Sequence, residues 1–207
     1  MDTNTLITIE ALEPQDIPEL DLTGVTPTDV ARFFGPEGFV FAKLVTVTIP
    51  YTERDIAGLD ESKLALYVWD GGGWYRVGDE TINSTNNTIS AKVNHFSIYR
   101  IVEDTTEVSG FKVYLTKNPF RSGEGTIFVY SLPKAGKVTL KIYDATGDLV
   151  RTLLDGETQS AGWHNVKWDG DNDFFSFVGS GIYLYRFEVE YTAGGSDKVI
   201  KTVGVIK

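Results

Sequence analysis

Apolar and polar residues alternate with a period of two along most of the chain, the pattern of strands that turn one face into a core. Val45, Val47 and Ile49 share one side, with Thr46 and Thr48 on the other. Leu64, Leu66 and Val68 alternate with Ala65, Tyr67 and Trp69. Asp70-Gly71-Gly72-Gly73 then turns the chain and Trp74–Val77 returns, a hairpin in which glycine supplies the positive φ of a tight turn. A polar turn at Asn83–Asn87 precedes Ile89, Ala91 and Val93. In the second half the alternation predicts strands at Thr126–Ser131, Lys137–Tyr143, Trp163–Trp168, Ile182–Glu190 and Val199–Ile206. Turns are predicted between them at Pro133–Gly136, Ala145–Asp148 and Ala193–Ser196. Strands so closely spaced predict a sandwich or barrel. Helix signals are few. Thr28–Phe34 carries cap-like residues and a stop at Gly35-Pro36, and Thr52–Leu59 and Asp60–Leu64 each suit a helical turn.

The polar, acidic run Val102–Gly110 interrupts the strand pattern and is the natural boundary. It divides the chain into a domain at 1–103, a linker at 104–110 and a domain at 111–207. The expected fold class is therefore all-β, with two β-sandwich-like domains in tandem. Composition agrees: 21 glycines and 13% aromatic residues among 207 favour strands and turns. A net charge of -10 argues against a nucleic-acid partner and an anionic membrane surface. The absence of cysteine excludes disulfides, thiolate zinc sites and a cysteine nucleophile. No apolar run reaches the roughly 18 residues of a membrane span. Met1-Asp2-Thr3-Asn4 lacks the basic region and apolar stretch of a signal peptide.

Two resemblances sharpen this picture. Gly35–Phe41, Val45–Tyr51, Leu64–Asp70, Trp74–Gly78 and Val93–Tyr99 follow one another as in the ZU5-like β-domains of bacterial and archaeal surface proteins, which the first half resembles. Such domains open with a Gly-rich strand before the segment matching Thr5–Ile9. Here that strand is missing, so Met1 reads as the start of an excised fragment. The open sheet edge invites a strand-donating neighbour. In the second half the carrying residues are Asn118-Pro119-Phe120, Tyr130–Pro133, Val138–Asp144, Gly147–Leu153, Gly162–His164, Trp168–Gly170 and Ser180–Arg186. This half resembles the immunoglobulin-like domain of the flagellar hook-capping protein FlgD and the similar C-terminal sorting domains of the type IX secretion route. The resemblance implies an immunoglobulin-like second domain, an extracellular or cell-surface location and a natural C-terminus at Lys207. It names no ligand, because fold is not function.

Three groups of residues carry candidate chemistry. His95-Phe96-Ser97 is similar to the tripeptide at which self-cleaving ZU5 domains and a nucleoporin break. Ser97 would attack the carbonyl of Phe96 with His95 as base, given a strained peptide and an oxyanion donor. The alternative puts Phe96 in the core, with His95 capping a turn. Trp69, Trp74 and Tyr75 flank one hairpin, as a platform for a surface glycan or protein partner if exposed, or as core if buried. Asp169, Asp171 and Asp173 alternate like Ca2+ ligands but lack the glycine and distal glutamate of a helix–loop–helix calcium loop, which favours a plain Asx-rich turn and no cofactor. Phe174-Phe175-Ser176-Phe177 is unusually apolar for a loop, either a contact patch or a plug over one end of the sandwich. The sequence thus reads as a non-enzymatic spacer or assembly domain followed by a sorting or surface-retention domain. The alternatives are a self-processing domain cleaving between Phe96 and Ser97, and a carbohydrate-binding module using the Trp hairpin.

Overall fold

Alternation becomes sandwich geometry. In a computed structural model of the chain, residues 7–36, 39–69 and 73–207 are described. They form two compact units, Met1–Glu107 and Val108–Lys207. The strands of the first are β1 (Thr8–Ala11), β2 (Val25–Gly35), β3 (Val40–Pro50), β4 (Leu64–Trp69), β5 (Trp74–Arg76), β6 (Thr81–Asn83), β7 (Thr88–His95) and β8 (Ile98–Asp104). They make two antiparallel sheets, ordered β1-β2-β8-β4-β5 and β3-β7-β6. Val30, Phe34, Leu66, Val68, Tyr99 and Ile101 of the larger sheet meet Val47, Ile49, Ile89, Ala91 and Val93 of the smaller in one core. The larger sheet is apolar on its other face too. Ala31, Ala65, Tyr67, Trp74 and Val102 form a second cluster there, closed by Leu12, Ile17 and Leu20 from the segment between β1 and β2. Strand β4 is consequently buried on both faces.

The second unit contains β9 (Lys112–Leu115), β10 (Phe120–Arg121), β11 (Thr126–Leu132), β12 (Gly136–Tyr143), β13 (Leu149–Gln159), β14 (Gly162–Trp168), β15 (Gly181–Tyr191) and β16 (Ser196–Ile206). Its sheets run β10-β16-β15-β12-β13 and β14-β11-β9. Between them Phe128, Tyr130, Leu132 and Trp168 pack on Val138, Leu140, Ile142, Tyr185, Phe187 and Val203. The motif residues are structural pegs. Asn118 accepts from Gly204 N at 2.9 Å and donates to Thr202 O at 3.2 Å, continuing the ladder beyond the two residues of β10. Phe120 meets the Trp168 ring edge-on at 5.4 Å, and Trp168 Nε1 donates to Asp171 O.

Thr28–Phe34 is strand, not helix. Between Pro27 and Ala31 the register of β2 against β8 shifts, and that bulge breaks the period of two. The Thr28 hydroxyl donates to Ile101 O at 2.6 Å and accepts from Val30 N, while Arg100 Nε donates to Thr28 O. The bulge sends Val30 and Phe34 to one core and Ala31 to the other, which imitates helical spacing. Residues 52–59 form successive turns, and Glu61–Lys63 is one turn of 3-10 helix capped by Asp60.

Candidate functional site

The aromatic hairpin does not present a platform. Trp69 and Trp74 are cross-strand partners with ring centroids 5.6 Å apart. Tyr75 sits opposite Val68 and packs on the main core, on the other face of the sheet. Trp74 is only 7% exposed. Period two puts Trp69 and Trp74 on one face and Tyr75 on the other, and the segment between β1 and β2 covers the face that holds Trp74.

That segment is built as a strap. Pro14 opens a single 3-10 turn over Pro14–Asp16, where its fixed φ suits the first position. Ile17, Leu12 and Leu20 turn inward, and Glu13, Asp16, Glu19 and Asp21 stay exposed. The Trp74 indole N–H is shared between the carbonyl oxygens of Pro18 (3.2 Å) and Glu19 (3.1 Å). Beneath the strap the sheet offers Ala31 and Ala65, whose small side chains leave a floor, beside Tyr67, Trp74 and Val102.

Next to this face lies an ionic cluster that sequence reading missed. Arg76 pairs across the strands with Tyr67. Its Nη1 lies 2.6 Å from Asp104 Oδ2 and its Nε 3.1 Å from Glu80 Oε1. Asp104 also accepts from Tyr67 Oη (2.9 Å), Thr106 N (2.9 Å) and the Thr106 hydroxyl. Burial opposes the charged carboxylate of Asp104. The Thr106 hydrogen bonds and the guanidinium outweigh it and hold its pKa below the ordinary value. Asp104, assigned by sequence to the linker, is instead the buried last residue of β8. Its signal was Arg76 at the end of β5 with Glu80 four residues on, a cation and an anion inside a strand-rich unit.

His95, Phe96 and Ser97 are all buried where β7 passes into β8. Phe96 fills the core, 4.6 Å edge-on to Phe41 and 6.1 Å from Phe34. The Ser97 hydroxyl donates to Trp69 O, a carbonyl that cannot act as a base. Tyr99 Oη donates to the His95 carbonyl at 2.7 Å. Ser97 O and Phe96 N are both taken by backbone partners, Phe34 N and Phe39 O. None of the three residues has a positive φ.

In the second unit each aspartate has its own partner. Asp169 faces Lys167, Asp171 lies 3.6 Å from Arg151, and Asp173 accepts from Thr152 N at 2.9 Å. Burial pushes the Asp171 carboxyl above its ordinary value, with Arg151 opposing. Among the described residues no group of three or more His, Cys, Asp or Glu is arranged to hold a metal ion. The adjoining loop is rigidly braced. Asn172 Oδ1 accepts from both Phe174 N and Ser176 N, Asn172 N donates to Ser176 O, and Asp173 N donates to Val150 O. Phe175, at φ +60°, lies under the Arg151 guanidinium at 4.7 Å. Phe174, Phe175 and Phe177 are 87%, 77% and 61% exposed, so this loop is a patch and not a plug.

Residues 116–195 match the FlgD Ig-like domain family. No curated protein matches the sequence. Among solved structures, FlgD of Pseudomonas aeruginosa is 20% identical over 48% of this chain and 78% of that one, with a TM-score of 0.36. Dimeric latent PorU of Porphyromonas gingivalis is 19% identical over 98% of this chain and 20% of its own, with a TM-score of 0.39. PorZ of the same organism, a surface component of its type-IX secretion system, is 21% identical over 54% of this chain and 14% of its own (TM-score 0.29). No helix among the described residues is long and apolar enough to cross a membrane.

Proposed function

We propose that the chain is a non-enzymatic module of a secreted or surface protein of bacterial type. In this reading the second unit acts as a sorting or surface-retention domain and the first, ZU5-like, as a spacer or assembly domain. The observation that carries the reading is the match of residues 116–195 to the FlgD Ig-like domain family. It is supported by what the matching residues do. Asn118, Phe120 and Trp168 are spent on ladder and core, so the matched motif encodes a scaffold and not a reaction centre. The Ser97 hydroxyl, committed to the Trp69 carbonyl, gives self-cleavage no specific support. The test is deletion of residues 108–207 from the parent protein in its own cells, followed by fractionation. Loss of the protein from the surface or medium, with the first unit still folded, is the expected result. Unchanged delivery would overturn the reading.

A further inference from the structure

We propose that the free edge of β3 in the first unit is a homodimer interface, at which two copies of the chain join their smaller sheets strand to strand. Among the described residues β3 pairs only with β7, in the sheet ordered β3-β7-β6, so the other side of this 11-residue strand is an edge. The register tells which groups that edge presents. Tyr51 N donates to Asn87 O at 2.9 Å, and the pairing of Val45–Pro50 with Thr88–Val93 continues from there without a slip. Antiparallel bonding alternates, so Ile49, Val47 and Val45 turn their N–H and C=O groups to β7, and Thr48 and Thr46 turn theirs away from it. Pro50, which has no N–H to offer, falls on the outward side, where a strand tolerates proline. The side chains of Thr46 and Thr48 are exposed, while Val47 and Ile49 go to the core.

Proteins protect such edges by keeping them short, bulging them or placing lysine on them. The other edge strands here follow that rule. Strands β1, β5, β6, β9 and β10 have two to four residues each. Strand β13 slips register against its neighbour three times, and β14 carries Lys167. Strand β3 slips only between Val40 and Val45, the stretch that also holds Lys43, and Val45–Pro50 is regular and uncharged. A second copy matches this strip. Turned about a two-fold axis at Val47, Thr46 faces Thr48 of the second copy and Thr48 faces its Thr46, so each outward threonine N–H meets a C=O. Threonine opposite threonine is a favourable cross-strand pair. Each chain carries a net charge of -10, so two copies repel, and an uncharged strip is where they meet with least repulsion. A partner selected by charge finds none to read between Val45 and Pro50. The inference is independent of the sorting role proposed for the second unit.

The experiment weighs the full chain by sedimentation equilibrium from about 1 μM to about 1 mM, the range of weak to moderate association. Concentration-dependent dimers are expected. In the double variant Thr46→Lys, Thr48→Lys the register puts lysine opposite lysine across the interface, and association should weaken about fivefold or more. In Thr46→Glu, Thr48→Lys the same register puts glutamate opposite lysine, and the dimer should hold at least as well as that of the unaltered chain. A chain that stays monomeric throughout overturns the proposal and leaves the edge to a strand of a different protein. A dimer indifferent to the two lysines overturns it too, as does one that both double variants lose equally. If a variant fails to fold, hydrogen exchange of the unaltered chain decides. The Thr46 and Thr48 amides should gain protection about tenfold or more from the dilute to the concentrated sample, while Val47 and Ile49 stay protected in both. Thr46 and Thr48 amides that exchange alike at both concentrations overturn the proposal.

Discussion

Asp104→Asn isolates the ionic cluster of the first unit. The substitution keeps the shape of the side chain and removes its charge, leaving Arg76 buried with Glu80 alone. Breaking a buried pair by neutralising one partner costs about 3–5 kcal/mol. Here Glu80, 3.1 Å from Arg76 Nε, keeps part of the compensation, and an amide still accepts from Thr106 N. A loss of about 2–3 kcal/mol is expected. For a unit of this size that corresponds to a fall of about 10–15 °C in melting temperature. Calorimetry at neutral pH measures it. The pH dependence gives a second handle. The Asp104 pKa is depressed in the folded state, so its stabilisation is complete above the unfolded carboxyl value of about 4. It is lost as the pH falls through the lower, folded value, and the gap between variant and parent should close over that acidic window. A variant melting within about 2 °C of the parent at pH 7 would refute the reasoning, as would a gap that widens in acid.

Three further outcomes follow from the geometry. Under denaturing conditions the purified chain should give one full-length mass, the same apart from the substitution as Ser97→Ala; fragments 1–96 and 97–207 present only in the parent would assign self-cleavage to Ser97 instead. Asn172→Ala removes the acceptor of two backbone N–H groups and should cost about 1–2 kcal/mol in urea titration. It should also open the Phe174–Phe177 loop to chymotrypsin, and an unchanged cleavage rate would refute the bracing. Calcium in place of chelator should move the melting of the second unit by less than about 1 °C, because Asp169, Asp171 and Asp173 each have separate partners.

Legibility followed regularity. Strands β12 and β15 were plain because their buried residues alternate strictly, from Val138 to Ile142 and from Tyr185 to Val189. Strand β13 was missed because its register against β12 slips three times and Gly156 takes φ +71°, so no period survives in the sequence. Strand β2 was misread for the same cause, its bulge at residues 28–30. Of the candidate residues, Phe96 was legible as core. The fate of Trp74 was not. Alternation tells which face a side chain takes, and not whether that face is covered by a strap 55 residues away whose prolines carry no periodic signal. The Asp104 cluster escaped because its acidic neighbours Glu103 and Glu107 made the run look solvated.

The exposed aromatic loop and the strap lie in different units. In the second unit Asn172 and Arg151 fix three phenylalanines in the open, and ordered apolar side chains on a surface are the kind that anchor partners. In the first the outer apolar face of the larger sheet is covered by Leu12, Ile17 and Leu20 of the same chain.

The most direct measurement of the central claim is transfer. Residues 108–207 are fused to a reporter carrying an export signal, in a bacterium that runs a type IX route, and surface reporter is scored by protease accessibility on whole cells. The account predicts surface delivery that requires residues 108–207 and fails when Trp168→Ala removes the core residue on which Phe120 packs. A reporter that stays inside with the folded unit attached, or reaches the surface equally without it, would contradict the account.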